Sequence, residues 1–216
     1  MNKFSTDCRQ CTRLASFLDE VRTTHPNYFA KPVPSFGDTG TPLLIVGLAP
    51  GLHGANRTGR PFTGDYAGDL LYSTLHKFGL ATAAAPLDAN KQANPALVLN
   101  GCRITNAVRC LPPQNKPEPA EIKQCNGYLA QELAALPQGA AVMALGTIAH
   151  AAVLRACGLK VKEFKFAHNA HHELANGLKL YDSYHCSRYN TQTKRLTEAM
   201  FHQVFESILE HHTIRS

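Results

Sequence analysis

Short, unbroken apolar runs alternate along this chain with segments whose apolar residues recur at helical spacing. The runs 43–46 and 140–145 contain no polar side chain and are bounded by turn residues, which is typical of strands buried on both faces of a sheet. Further strands are expected at 179–184 and near either 97–99 or 102–107. Because helical segments separate the strands, the pattern predicts an α/β fold with a parallel sheet, helices on both faces, and ligands at the carboxyl ends of the strands.

The positions of the helices and of the loops between them complete this outline. Helices are expected at 14–21, 66–78, 121–136, 147–157 and 191–209, an extended linker at 25–34, a surface excursion at 81–95 and a Pro-rich loop at 111–119. A chain of 216 residues with 44% apolar and 18% charged residues is long enough for one sizeable core. We therefore expect a single domain over 1–216.

The segment that follows the first apolar run has the composition of a binding loop. Residues 46–65 are rich in glycine, contain two prolines, and carry Phe62, Asp65, Asn56 and Arg57. Glycine allows positive φ and a close approach of backbone to ligand. Polar loops also occur at 104–110 and 184–190, each next to an expected strand. In a parallel sheet the three loops converge on one edge, so the sequence predicts a pocket there.

Charge and hydropathy limit the partners of the chain. Lys and Arg number 22 against 16 Asp and Glu, a formal net charge of +6 that favours a polyanionic partner. No apolar run reaches the length of a signal peptide near residue 1 or of a membrane span elsewhere. We expect no membrane partner and a reducing, cytoplasmic compartment, in which clustered cysteines hold metal more often than they form disulfides.

Four of the seven cysteines have the spacing of a metal site. Cys8 and Cys11 are separated by two residues, and Cys110 and Cys125 bracket the Pro-rich loop. Four thiolates suit either Zn²⁺ or a [4Fe-4S] cluster, and the spacing does not choose between them. The remaining cysteines, 102, 157 and 186, are expected to be reduced, with Cys102 as the first stand-in ligand.

Ordered motifs along most of the chain resemble the type-5 uracil-DNA glycosylases. They are 47–51 (GLAPG), 56–65 (NRTGRPFTGD), 105–110 (TNAVRC) and 185–193 (HCSRYNTQT), and the resemblance extends from residue 8 to about 197. It implies a three-layer α/β/α fold around a four-stranded parallel sheet. It also implies a nucleoid-associated DNA repair enzyme that excises uracil, hypoxanthine and xanthine and leaves an abasic site. The resemblance chooses the cluster over zinc, with Cys8, Cys11, Cys110 and Cys125 as ligands of a structural [4Fe-4S] cluster.

The chemistry of glycosidic bond hydrolysis assigns roles within these motifs. Phe62 can stack on an extracted base, and the amide of Asn106 can read its edge. His185 can donate a hydrogen bond to the leaving base, as the resemblance suggests. Asp65 is the candidate that orients water or stabilises the positively charged sugar, with Asp69 as the alternative. We thus predict Asp65, Asn106 and His185 as catalytic residues.

The same motifs supply the remaining site predictions. Substrate contacts are expected from residues 47, 49, 50, 51 and 62 (Gly47, Ala49, Pro50, Gly51 and Phe62), and DNA contacts from residues 56, 57, 187, 188 and 189 (Asn56, Arg57, Ser187, Arg188 and Tyr189). The chain departs from related enzymes twice. Leu48 stands where type-4 enzymes carry an acidic residue, and Cys186 replaces the proline of the HPS motif, which predicts a less rigid loop.

Competing interpretations remain at this point. A nucleotide-binding enzyme lacks support because neither phosphate-binding glycine fingerprint is present. A non-catalytic iron-sulfur module that binds DNA is the main alternative. His168, His171, His172 and Glu173 lack standard ligand spacing and are interpreted as a solvated or DNA-facing loop. We expect a monomer that acts on double-stranded DNA, with single-stranded DNA as a second substrate, and no strand cleavage because no motif supplies a lysine for a Schiff base.

Overall fold

A computed structural model describes residues 3–212 and residue 214, and a five-stranded sheet lies at its centre. The strands are β1 (Leu43–Gly47), β2 (Cys102–Asn106), β3 (Ala141–Leu145), β4 (His171–Glu173) and β5 (Lys179–Ser183), in the spatial order β2-β1-β3-β5-β4. The first, second, third and fifth are parallel, as predicted. The prediction of four strands missed β4, which is short, antiparallel to β5 and at the edge. Residues 171–173 of the segment interpreted as a solvated or DNA-facing loop form this edge strand, and His168 precedes it.

Seven α-helices surround the sheet in the described part of the chain. They are α1 (Thr12–Thr24), α2 (Ala55–Thr58), α3 (Tyr66–Lys77), α4 (Pro119–Ala134), α5 (Thr147–Ala156), α6 (Arg188–Gln192) and α7 (Glu198–His211), with short 3-10 turns at Pro113–Asn115 and Val161–Glu163. None of these helices is both long and apolar enough to cross a membrane. The predicted helix 191–209 is wrong, because the chain forms two helices. The hydroxyl groups of Ser187 and Thr197 each cap one of them by accepting a backbone hydrogen bond.

The strands are apolar on both faces because the sheet separates two cores. All five residues of β1 are buried. Leu43 and Ile45 belong to the core that includes side chains of α3 and α7, whereas Leu44 and Val46 belong to the core beneath α4 and α5. Successive side chains along a strand thus point into the two cores in turn. Every position has to be apolar, which explains the unbroken apolar runs. A third cluster, around α1, packs the N-terminal arm against Cys110 and Cys125.

The backbone of the loop after β1 is fixed beneath α3. Phe62 has a positive φ of 53°, and the hydroxyl of the buried Tyr72 donates a 2.8 Å hydrogen bond to the carbonyl of Pro61. Gly68, in the first turn of α3, lies so close that a Cβ there would collide with the carbonyl oxygen of Phe62. The absence of a side chain at Gly68 therefore lets α3 support the strained residue at 62.

A glycine-to-alanine pair tests this support. Alanine normally stabilises a helix interior by roughly 0.5–1 kcal/mol relative to glycine, and Gly127→Ala in α4 should do so because a Cβ there meets nothing within 4 Å. Gly68→Ala should instead lower the free energy of unfolding by about 1–3 kcal/mol through overpacking. Urea denaturation followed by circular dichroism measures both. Equal effects of the two substitutions would contradict the contact between α3 and Phe62.

Candidate active site

Three residues from different elements meet at the carboxyl ends of β1 and β2. Gly47 ends β1 in register with Asn106, which ends β2. A Cβ at Gly47 would collide with Asn106 Oδ1 and with the ring of Phe62. The predicted convergence of the loops 46–65 and 104–110 is thus present. Gly47 contributes space rather than a side chain, which is why the amide and the ring can lie side by side.

The amide of Asn106 is buried with an unused acceptor. The residue is 3% exposed, and its Oδ1 has no hydrogen-bond partner in the part of the chain that the structure describes. Leaving a buried acceptor unpaired costs about 1–3 kcal/mol. Natural structures retain such groups mainly where a ligand or water completes the bond. Asn106 is therefore suited to bind a donor group on a ligand that enters this space.

His185, in the loop after β5, lies beside Phe62. The two rings are nearly parallel, with an interplanar angle of 27° and centroids 6.0 Å apart. Burial lowers the pKa of His185 to about 4, because no charged partner compensates for the loss of solvation. The imidazole is consequently neutral near pH 7 and carries one N–H. It can donate a hydrogen bond without bringing a positive charge into the site.

Asp65 occupies the N-cap of α3 with one carboxylate oxygen directed toward the glycine-rich loop. Its Oδ1 accepts a 2.9 Å hydrogen bond from the backbone N–H of Gly68. A Cβ at Gly54 would lie 2.5 Å from Oδ2, and one at Gly51 would lie 3.5 Å from it, so Oδ2 faces that loop. Burial raises the pKa of Asp65, partly offset by hydrogen bonds from the backbone of Gly68 and Ala67. Asp69, the alternative carboxylate, is exposed.

A cavity of about 570 Å³ opens between the glycine-rich loop, the start of α3, the Pro-rich loop and the loop after β5, and Asn106 and Phe62 are not among the residues that line it. It is lined by residues 48, 49, 51, 65, 66, 67, 115, 185, 187 and 188 (Leu48, Ala49, Gly51, Asp65, Tyr66, Ala67, Asn115, His185, Ser187 and Arg188). Sequence reasoning missed Tyr66, Ala67 and Asn115. Asn115 comes from the Pro-rich loop at a positive φ of 56°, so the turn signals 112–117 could have indicated it. A larger groove of about 720 Å³ between α4 and α5 contains no carboxylate or histidine among its lining residues.

The outer rim of the cavity is formed by the start of α6. Tyr189 is 72% exposed, and the guanidinium of Arg188 lies 5.6 Å from the ring centroid of Tyr66. The loop before α6 is held firmly despite the lack of proline. Cys186 is fully buried and its thiol donates to the carbonyl of Ala67 at 3.4 Å. The side-chain amide of Asn190 also donates to the carbonyl of His185 at 2.8 Å.

Two of the residues predicted to contact DNA lie inside the glycine-rich loop instead. Asn56 has no exposed surface, so the prediction that it touches DNA is wrong. Arg57 is half-buried and binds the loop itself, because its guanidinium donates to the carbonyls of His53 at 2.9 Å and Lys91 at 2.6 Å. Pro50 is also buried within the loop. The bonds of Arg57 hold the loop, and the side-chain amide of Asn56 is enclosed without a hydrogen-bond partner in the described chain, whereas Ser187, Arg188 and Tyr189 lie at the surface or line the cavity.

The four predicted cysteine ligands lie together beside the N-terminal arm. Cys8, Cys11, Cys110 and Cys125 line one small cavity, together with Phe4, Gln10, Pro32, Arg109, Gln124 and Tyr128. Burial, together with the nearby Cys125, Glu121 and Cys8, raises the pKa of the Cys11 thiol to about 11. The backbone N–H of Arg109 donates to Cys125 Sγ at 3.4 Å, and the Tyr128 hydroxyl lies 3.5 Å from Cys8 Sγ. All four thiols are free of disulfides.

Comparison with known proteins agrees with this architecture. The sequence model of the uracil DNA glycosylase superfamily matches residues 34–209. A type-5 uracil-DNA glycosylase of Thermus thermophilus is 46% identical over 204 residues, which cover 92% of this chain and 91% of the relative. A type-5 uracil-DNA glycosylase of Mycobacterium bovis is 40% identical over 95% of this chain and 78% of its own length. A type-4 uracil-DNA glycosylase of Pyrobaculum aerophilum is 31% identical over 63% of this chain and 60% of its own length.

Proposed function

The chain belongs to the uracil DNA glycosylase superfamily, and we propose that it hydrolyses the N-glycosidic bond between deoxyribose and uracil, hypoxanthine or xanthine in DNA. The observation that carries this proposal is the buried amide of Asn106 beside Phe62, with an acceptor that no described residue uses. An extracted pyrimidine presents an N–H donor on its edge and a π-face. Asn106 and Phe62 match these two features.

His185 addresses the charge on the leaving base. When the glycosidic bond breaks, its electron pair stays with the base, and negative charge develops on the base oxygens. A neutral imidazole donates a hydrogen bond to such an oxygen, and the lowered pKa of about 4 keeps His185 in that form. Donors placed before the reaction in a site that excludes water stabilise the developing charge more than solvent does. His185 therefore assists departure of the base without transferring a proton to it.

Asp65 is the residue proposed to assist the attack of water on the sugar. Water adds to C1′ of the sugar as the base departs, and a carboxylate can accept the proton of that water and stabilise the positive sugar. The Oδ2 atom of Asp65 faces the glycine-rich loop at the cavity wall, and Oδ1 is already committed to the helix cap. The lining residues do not include a lysine, so the product is an abasic site in an unbroken strand.

The surface around the cavity suits DNA. The net charge of +6 favours the phosphate backbone through release of counterions. Arg188 and Tyr189 project from the start of α6 at the rim, where a planar side chain can occupy the gap that an extracted base leaves in the stack. We propose that the enzyme acts as a monomer on double-stranded DNA and also accepts single strands.

The cavity wall at position 48 supports a broad choice of base. Leu48 lines the cavity, so the wall there is apolar and uncharged. The edges of uracil, hypoxanthine and xanthine share an N–H next to a carbonyl, which is the pattern that one amide side chain recognises. Asn106 thus selects the deaminated edge. The apolar wall at Leu48 forms no hydrogen bond that would distinguish a pyrimidine from a purine.

The four cysteines fit a [4Fe-4S] cluster better than a single zinc ion. Among the described residues, no three of these sulfurs lie within 4.8 Å of one another. Tetrahedral zinc with Zn–S bonds of about 2.3 Å would need sulfurs about 3.8 Å apart. Burial and the neighbouring negative groups favour the neutral thiol of Cys11, so a bound cationic centre is what would stabilise these sulfurs as thiolates. We propose that Cys8, Cys11, Cys110 and Cys125 hold the cluster, which ties the N-terminal arm to α4 and supplies no electrons to the hydrolysis.

The proposed activity is tested on end-labelled duplexes that contain uracil opposite guanine or adenine, hypoxanthine opposite thymine, or xanthine opposite cytosine. Because the product is an abasic site, we expect strand breaks in all four duplexes after hot alkali and none without it. An undamaged duplex is the control. Protein that binds these duplexes but leaves every base in place would favour the non-catalytic binding module, and strand breaks without alkali would contradict the absence of a lyase step.

The role of Asp65 is tested by Asp65→Asn, which keeps the helix cap because asparagine caps equally well. Loss of the general base should reduce single-turnover excision of uracil by about 10²–10⁴-fold. In the wild type, the active carboxylate is lost as the pH falls through its raised pKa, so the rate should decline with acidity. The exposed Asp69→Asn is the matched control. A normal rate for Asp65→Asn with a slow Asp69→Asn would reassign the role.

Removal of one cysteine tests the cluster. The purified wild type should contain four iron and four acid-labile sulfide per chain, and Cys110→Ser should lose both together with thermal stability. Cys157→Ser is the control, because this half-buried cysteine is not among the residues around the four-cysteine cavity. Zinc in place of iron would refute the proposed cofactor. A cluster-free protein that stays folded and fully active would refute its structural role.

A further inference from the structure

A second cluster of potential metal ligands lies between α5, β4 and β5. It consists of His150, His172 and Asp182, whose nearest donor atoms all lie within 4.8 Å of one another. Asp182 is fully buried, the side chain of His150 is 2% exposed and that of His172 is 19% exposed. None of the three lines the cavity of the proposed active site or the four-cysteine cavity.

The hydrogen bonds of His150 are incompatible with a neutral ring. Its Nδ1 lies 2.8 Å from Asp182 Oδ1, and its Nε2 lies 3.0 Å from the carbonyl oxygen of Phe164. Both oxygens are acceptors, whereas a neutral imidazole carries only one N–H. One ring nitrogen would therefore present a lone pair to an oxygen. A second proton on the ring, or a cation beside it, removes this conflict.

The other two side chains carry atoms without partners. Asp182 Oδ2 and His172 Nε2 are both buried and lie 3.5 Å apart, yet neither forms a hydrogen bond within the described chain. A second proton on His150 would neutralise Asp182 but would leave both of these atoms unsatisfied. A buried carboxylate oxygen without a partner is costly. A single cation between the three side chains would satisfy all of these atoms together.

We propose that His150, His172 and Asp182 bind a divalent transition metal, with Zn²⁺ as the best match. Two imidazoles and one carboxylate are a common zinc donor set, which leaves a fourth position for water. Ligand bonds of about 2.0–2.1 Å in tetrahedral geometry separate the donor atoms by about 3.3 Å. His150 Nδ1 lies 2.8 Å from Asp182 Oδ1 and His172 Nε2 lies 3.5 Å from Asp182 Oδ2, one distance below and one above that value.

The surroundings support this assignment. With Nδ1 of His150 on the metal, Nε2–H donates to the Phe164 carbonyl, which is how a metal-bound histidine is usually oriented. The ring of Phe166 lies 5.6 Å from that of His150, and the ring of Phe164 lies 5.7 Å from that of His172. These apolar rings flank the site, and the exposed part of His172 provides a route of entry.

The site would join three elements that are far apart in sequence. It would fasten the short edge strand β4 and helix α5 to β5, whose carboxyl end leads to His185 only three residues after Asp182. The metal would thus have a structural role and would not take part in hydrolysis.

The experiment adds Zn²⁺ to the purified full-length protein and measures X-ray absorption at the zinc edge, with iron content determined before and after. We expect one equivalent with a nitrogen and oxygen shell near about 2.0 Å, whereas zinc on the cysteines would show sulfur near about 2.3 Å. His172→Gln should weaken this binding by more than about 100-fold, beyond the cost of losing a supporting hydrogen bond. Zinc should raise the Tm of the wild type but not of this variant.

His171→Gln is the matched control, because His171 lies on the same strand and is exposed. It should bind zinc as the wild type does. Absence of a nitrogen and oxygen zinc shell in the wild type would overturn the proposal irrespective of any variant, and so would equal affinity of His172→Gln and His171→Gln. Either result would leave His150 and Asp182 as an imidazolium–carboxylate pair.

Discussion

The close approach of backbone, amide and ring at the end of β1 is the constraint on which the site depends. Gly47 has no side chain, and for this reason Asn106 on the neighbouring strand and Phe62 from the following loop can lie next to each other. Gly68 provides a similar opening in α3, where the helix contacts the carbonyl of Phe62. The space left by these two glycines thus lets β1 and α3 pack against Phe62 and maintain its strained backbone conformation, which loop residues alone would not do.

The polar groups of the site are held in a desolvated state, which costs stability and prepares the chemistry. Burial keeps His185 neutral, raises the pKa of Asp65 and leaves an acceptor of Asn106 unpaired. Each of these effects disfavours the folded protein by itself. The buried sheet and its two cores provide the stability that tolerates them. Rigid support of unsatisfied groups is what allows electrostatic stabilisation of a reaction without reorganisation.

The sequence predicted the elements that periodicity governs and missed those that tertiary contacts decide. The parallel strands and the convergence of their loops followed from unbroken apolar runs, and the cysteine pairs did meet in space. The edge strand β4 was missed because three exposed or half-exposed residues carry no hydrophobic signal. The burial of Asn56 and the inward role of Arg57 depend on how the loop folds on itself, which composition does not encode. His150 and Asp182 showed no motif, since they meet only through the sheet.

The position of Asp65 explains how an acidic group can serve this pocket although position 48 is leucine. A carboxylate buried in an apolar wall would bind a proton, but Asp65 sits at the N-terminus of α3, where backbone N–H groups and the helix dipole favour negative charge. Its hydrogen bond to Gly68 fixes the carboxylate and leaves Oδ2 directed toward the glycine-rich loop. The acidic group of this chain is thus at the N-cap of α3, whereas type-4 enzymes carry it at the position of Leu48, just after β1. The cavity wall is apolar at Leu48, so in the proposed mechanism the amide of Asn106, and not a second carboxylate, would set the choice of base.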